Sequence, residues 1–263
     1  MKRASPLAAL VLVAPLLGGC ATTLNDVRGG PGAKLDPWEN WNRKVFAFNE
    51  SLDENLLKPV ATAYANVLPE PVRRGVDNFF GNFADAWSAV NNFLQGKVTA
   101  GVYDVMRVGT NTVFGLLGVL DVATEAGLEK SREDFGQTLG VWGMGTGAYI
   151  VWPLFGPSSV RDAIGLPLDM AASPSTVIND GATRYSLTAL NVINTRANLL
   201  GATRVLDEIA LDKYNFVRDA YLQRRRSLVF DGNEPPPEDP SAGEPEPPAS
   251  APAAPQAASG TAR

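Results

Sequence analysis

Histidine is absent from this 263-residue sequence, and cysteine occurs once, at position 20. Without histidine the commonest general base and the commonest metal ligand are both missing. A single thiol permits no intrachain disulfide, so stability must come from packing. A surplus of positive charge is missing too. The net charge is −5, and six acids from Asp231 to Glu246 against Arg263 put all of it in the C-terminal tail. Lys2 and Arg3 contribute +2 at the front, leaving about −2 for a body with no basic surface for nucleic acid. Charge of either sign is absent from Phe135 to Val160, yet six glycines and two prolines in that run argue against a membrane-spanning helix. The run reads as apolar but irregular, and its backbone polar groups require burial in protein or a cavity to line.

Catalytic signatures are equally scarce. Gly143-Met144-Gly145-Thr146-Gly147 lacks the Gly-Lys-Ser/Thr ending of a phosphate loop and the spacing of a dinucleotide fingerprint. No Gly-x-Ser-x-Gly elbow occurs. Adjacent Glu133 and Asp134 diverge in direction, and Asp134 reads as the N-cap of a helix opening at Phe135. Neither an enzyme, nor a metal site, nor a cofactor is expected.

What is present begins with Cys20. Lys2 and Arg3, an apolar stretch from Leu7 to Leu17 and the small residues Gly18 and Gly19 form the three parts of an export signal. The apolar part is shorter than the roughly 20 residues that span a bilayer. Its end, Leu17-Gly18-Gly19-Cys20, resembles a bacterial lipobox, which implies cleavage before Cys20, a diacylglycerol on the thiol and an acylated amine. Several acyl chains at about 0.8 kcal/mol per methylene make a stable anchor. Ala21 follows, and the absence of Asp there favours the outer membrane.

Four segments are expected: a lipoprotein signal at 1–19, a lipid-anchored Gly-rich tether at 20–35, one folded domain at 36–230 and a tail at 231–263. The tail holds nine of the twenty prolines and almost no large apolar residue, a composition expected to stay disordered.

The domain reads as all-α. A first helix opens at Asp36-Pro37-Trp38-Glu39 with Asp36 as cap and ends or kinks at Lys58-Pro59. Trp38, Trp41, Val45, Phe48 and Leu52 share one of its faces, which meets either a protein core or lipid; periodicity alone favours the core. A second helical block starts near Pro69-Glu70-Pro71, with a break or kink expected at Gly81-Asn82. A third run carries Asp104 and Arg107 one turn apart, which reads as a solvated pair of small weight. The densest helical pattern spans 183–228. Arg224-Arg225-Arg226 at its end suits the helix dipole or, alternatively, lipid headgroups. No run alternates strictly enough for an extended sheet.

In order along the chain, Asp36-Pro37-Trp38-Glu39, Asn42-Arg43, Phe46-Ala47-Phe48-Asn49, Leu52-Asp53, Lys58-Pro59-Val60-Ala61, Asn78-Phe79-Phe80, Leu94-Gln95-Gly96-Lys97, Glu133-Asp134-Phe135-Gly136-Gln137-Thr138-Leu139-Gly140, Tyr149, Leu154-Phe155-Gly156-Pro157-Ser158 and Arg161-Asp162 form a series of motifs. Together they resemble the MlaA (VacJ) lipoproteins of Gram-negative outer membranes. The resemblance implies a ring-shaped helical protein in the inner leaflet of the outer membrane, with an amphipathic channel through its middle. It implies work with porin trimers, removing misplaced phospholipids from the outer leaflet and handing them to a soluble MlaC-like periplasmic carrier. Channel candidates are Phe46, Phe48 and Asn49 on the first helix, with Trp142, Tyr149 and Trp152 on the Gly-rich run as a wall or flexible gate. A charge placed at Tyr149 or Trp152 is then expected to impair lipid clearance without unfolding the protein. The competing readings are a porin-bracing structural lipoprotein and a lipid-hydrolysing enzyme.

Overall fold

The computed structural model describes residues 35–234 apart from Val177. The signal, nearly all of the tether, Cys20 and the tail beyond residue 234 lie outside the described residues. The described chain is predominantly helical, in line with the all-α reading.

Helix α1 (Glu39–Leu52) runs into a π-helical turn (Asp53–Leu57) and on into α2 (Lys58–Val67). The chain therefore passes Lys58-Pro59 without ending there, and of the expected end or kink it shows a local π-helical irregularity just before the proline. The wide turn just before Pro59 accommodates a residue that has no N–H to donate. Asp36 is not the cap either. Trp38 holds that position without a side-chain bond, and Asp36 is buried, accepting from Asn42 Nδ2 at 2.7 Å and from the Tyr214 hydroxyl.

Helix α3 (Glu70–Leu94) is continuous through Gly81-Asn82, so of the break or kink expected there the break is absent. Tertiary contacts outweigh the weak local propensity: Asn82 Nδ2 donates to Thr112 Oγ1 at 3.1 Å, and Asn82 lies so close to Gly118 that a Cβ there would come within 2.7 Å of it. Gly96 at φ +79° turns the chain into α4 (Val98–Val113), which packs along α3 where Gly101 admits the Phe93 ring.

The short α5 (Val122–Glu125) and α6 (Phe135–Val141) open on Asp121 and on Asp134, which accept from Thr124 N and Gln137 N; Asp134 is thus the cap expected. Within the Gly-rich run the chain forms a hairpin. Strand β1 (Tyr149–Trp152) pairs antiparallel with β2 (Gly156–Ser159), in register from Tyr149 opposite Ser159 to Trp152 opposite Gly156. The run is thus less irregular than its glycines imply. Tyr149 and Val151 point into a core cluster with Val45 and Tyr214, and four-residue strands are too short to show sustained alternation.

Ser159 caps α7 (Val160–Ala171), Asp180 caps α8 (Gly181–Ile209) and Asp212 caps α9 (Lys213–Val229). Helix α8 packs on α2 and α3, while α9 closes over α6 and β2.

The distribution of polarity is the reverse of a water-soluble domain. Among the described residues, seventeen polar or charged side chains are buried, against eight apolar ones, four of them alanine. Trp38, Trp41 and Phe48 are 46 %, 59 % and 55 % exposed, so the apolar stripe of α1 faces outward except at buried Val45 and half-buried Leu52. Soluble monomers rarely leave large apolar surfaces open to water. No helix among the described residues is long and apolar enough to cross a membrane.

Candidate functional site

The polar interior is built around arginines. Arg107, fully buried, donates through Nε to Asp85 at 3.1 Å and through a second nitrogen to both oxygens of Asp121 at 3.0 and 3.2 Å. Its third nitrogen meets Thr124 Oγ1 at 3.1 Å and the Leu128 carbonyl at 2.6 Å. Asp104 does not pair with it; it accepts instead from Asn92 and Ser131. The expected solvated pair is thus two separate buried nodes. A lone ion pair in this setting would struggle against desolvation, whereas a fully bonded guanidinium is well supported.

A second node holds α9 in place. Arg225, the middle of the three arginines, is buried against Asp134 and Asp162, each at 2.8 Å from one guanidinium nitrogen. Its role is therefore an internal tie rather than a dipole or headgroup contact. Gly136 permits this approach, since a Cβ there would lie 2.8 Å from Arg225 and 2.6 Å from Asp162.

These arrangements set the carboxyl acidities. Burial pushes Asp121 up, but bonds from Thr124 and Asn111 and the Arg107 charge outweigh it and bring Asp121 down to about 2. Burial also opposes ionisation at Asp134 and Asp162; Arg225 prevails at both and holds them below the usual range. Groups depressed in the folded state contribute stability above the unfolded carboxyl value near 3.8, and lose it as pH falls toward about 2. Thermal unfolding followed against pH is therefore expected to show a falling Tm within that acid window.

Helix α3 carries two surfaces. Its Asp77, Gly81, Ala84 and Asp85 line a polar cavity of about 790 Å³, together with Lys130 to Asp134, Asp169 and Asn198. Its Val72, Val76, Phe79 and Phe80 line an apolar groove of about 500 Å³ with Val119, Leu187 and Leu190. Both volumes are in the range of ligand-sized sites.

None of the six channel candidates lines the polar cavity. Four of them meet around the hairpin. Phe46 packs edge-on to Tyr214 with ring centres 5.6 Å apart, and Tyr149 packs against the same tyrosine at 6.2 Å. Asn49 ties α1 to the hairpin, donating to the Trp152 carbonyl and accepting from Leu154 N, both at 2.9 Å. Phe48 lies on the exposed face of the same helix, and Trp142 stands apart, bonded to the Leu94 carbonyl at 3.0 Å.

Tyr149 is completely buried, so it is a core residue rather than an accessible wall, and a charge there is now expected to unfold the domain. Burial makes its hydroxyl a weaker acid, with a pKa above the usual tyrosine value, and that hydroxyl accepts and donates no hydrogen bond among the described residues. Tyr149→Phe is accordingly expected to leave the Tm unchanged or raise it, by up to about 1 kcal/mol of stability, since only an unpaired buried group is lost. A fall of several degrees would contradict that placement.

The residues lining the cavity carried no sequence signal as a set, because α3, the segment after α5, α7 and α8 converge there from distant positions. Among the described residues no group of three or more acids could hold a metal ion.

Comparison with known proteins gives a consistent result. The family model described as MlaA lipoprotein matches residues 34–228. The chain is 37 % identical to the "Intermembrane phospholipid transport system lipoprotein MlaA" of Escherichia coli K12, over 90 % of this chain and 93 % of that one. It is 31 % identical to the protein of the same name from Haemophilus influenzae, over 88 % and 93 %. A solved structure described as the structural basis for maintenance of bacterial outer membrane lipid asymmetry aligns with a TM-score of 0.65 at 35 % identity, covering 74 % of this chain and 98 % of that one.

Proposed function

The chain belongs to the MlaA lipoprotein family, and on that premise we propose that it is an outer-membrane lipoprotein that maintains lipid asymmetry by moving mislocalised phospholipids inward. It takes them from the outer leaflet and passes them to a soluble periplasmic carrier of MlaC type. A porin trimer is its membrane partner, and Cys20 anchors it to the inner leaflet through acyl chains.

The observation that carries this reading is the inverted polarity. Apolar side chains cover the outside, where hydrocarbon solvates them, and charged networks fill the inside. Phospholipids need apolar surface for two chains and polar surface for a headgroup. Helix α3 offers both, a polar cavity on one side and an apolar groove on another. A ring around an amphipathic channel is the arrangement this function calls for.

Two apolar turns support a membrane setting. Val113, Phe114, Leu116 and Leu117 are each about 70 % exposed, and both leucines hold positive φ, at 54° and 60°. Leu154, at the hairpin tip beside exposed Phe155, does the same at φ 70°. Positive φ is unfavourable for leucine, and an apolar medium for the projecting side chains offsets that strain.

Deleting the gene is expected to raise the amount of phospholipid open to chemical labelling at the cell surface. The wild-type copy should reverse this and Cys20→Ala should not. An unchanged surface after deletion would favour the porin-bracing reading instead.

A further inference from the structure

The geometry points to the 790 Å³ cavity as a receptor for a zwitterionic phospholipid headgroup, with Asp169 and Asp77 taking its ammonium and Arg132 its phosphate. This rests on the phospholipid-moving function proposed above and names the headgroup class that the function favours.

Most acids around the cavity are already neutralised. Asp121 and Asp134 are held by Arg107 and Arg225, and Glu133 by Lys97 at 3.2 Å. Asp85, 1 % exposed, pairs with Arg107, but its other oxygen accepts no hydrogen bond and has only Lys130 Nζ at 3.2 Å.

Among the described residues neither Asp169 nor Asp77 forms a close ion pair, and Arg225 acts on Asp169 only at longer range. Asp169 uses one oxygen for Trp87 Nε1 at 2.7 Å and Phe135 N at 2.9 Å, leaving its second oxygen uncommitted. Asp77 is bonded only by the side-chain amides of Asn194 and Asn198. Burial pushes Asp169 up, and the bonds from Phe135 and Trp87 and the longer-range Arg225 charge do not bring it back down. Trp87 places an indole beside that carboxylate, and an aromatic ring next to an acid is a favourable setting for an organic ammonium.

Opposite in charge, Arg132 lines the same cavity, is exposed and pairs with no acid among the described residues. A free guanidinium is suited to a phosphate diester. Gly81 lies on the α3 wall of the cavity, where an added Cβ would meet only the mobile tip of Lys130, at 3.0 Å. A headgroup with one positive and one negative charge matches this set, while phosphatidylglycerol lacks the positive part and meets uncompensated carboxylates.

The test is binding of short-chain dihexanoyl phosphatidylethanolamine and dihexanoyl phosphatidylglycerol to the detergent-purified full-length protein, by calorimetry. The ethanolamine lipid should bind at least tenfold more tightly. Asp169→Asn, which keeps an acceptor for Trp87 and Phe135, should reduce that preference at least fivefold with the Tm preserved. Arg132→Gln, at an exposed position, should weaken both lipids alike. Equal affinity for the two lipids, or an undiminished preference in Asp169→Asn, overturns the headgroup assignment and leaves the transport reading standing. Failure of both lipids to bind overturns the two together.

Discussion

Replacing Arg107 with methionine is expected to cost about 3–5 kcal/mol, because it leaves Asp85 and Asp121 without the charge that holds them in the interior. Against a total stability of about 5–15 kcal/mol this is enough to unfold much of the protein near physiological temperature. Asp85 is almost wholly buried and keeps only Lys130, whose side chain is 30 % exposed. Arg107→Lys retains the charge but cannot reach Asp85, Asp121, Thr124 and the Leu128 carbonyl at once, so an intermediate loss is expected. Thermal and chemical unfolding in detergent measures both. A loss under 1 kcal/mol for Arg107→Met would show that the network is ornamental to stability.

The second large effect concerns the turn after α4. Leu116→Asn with Leu117→Asn, made in a Cys20→Ala background so that acyl chains do not dominate, is expected to lower partition into phospholipid vesicles on the order of a hundredfold. Each leucine contributes about 1.5 kcal/mol or more when its side chain leaves water, and about 1.4 kcal/mol is a factor of ten. Asparagine tolerates positive φ better than leucine does, so the folded domain should keep its Tm or gain a little. Unchanged vesicle flotation in a well-folded variant would mean that this turn does not meet the membrane.

Legibility in the sequence divides along a physical line. Local rules held where local chemistry decides. Asp134 caps α6 as its position before Phe135 predicts, and the helical character of the body is plain from spacing. Periodicity shows which side chains share a face but not which medium that face meets. Trp38, Trp41 and Phe48 therefore follow the pattern of a core stripe while pointing outward. Asp104 and Arg107 misled for a related reason. An i, i+3 pair of opposite charge on a helix resembles a solvated bridge, and nothing nearby in sequence reveals that Asp85 and Asp121 will meet Arg107 inside.

The hairpin was hidden by shortness. Tyr149-Ile150-Val151-Trp152 is a β-branched and aromatic run ending at a proline, a strand signal that the surrounding glycines and absent charges obscured. The cavity was the least legible feature. Asp77, Arg132 and Asp169 stand tens of residues apart and form no motif until α3, α7 and the segment between α5 and α6 come together.

The central claim is that this protein carries phospholipid through a polar interior wrapped in an apolar exterior. Lipid mass spectrometry on protein extracted gently from its membrane tests it most directly. Intact diacyl phospholipid should copurify in stoichiometric amount and persist on incubation. Protein free of phospholipid would contradict the claim, and so would conversion of added phospholipid to lysolipid and free fatty acid, which would instead reveal an enzyme.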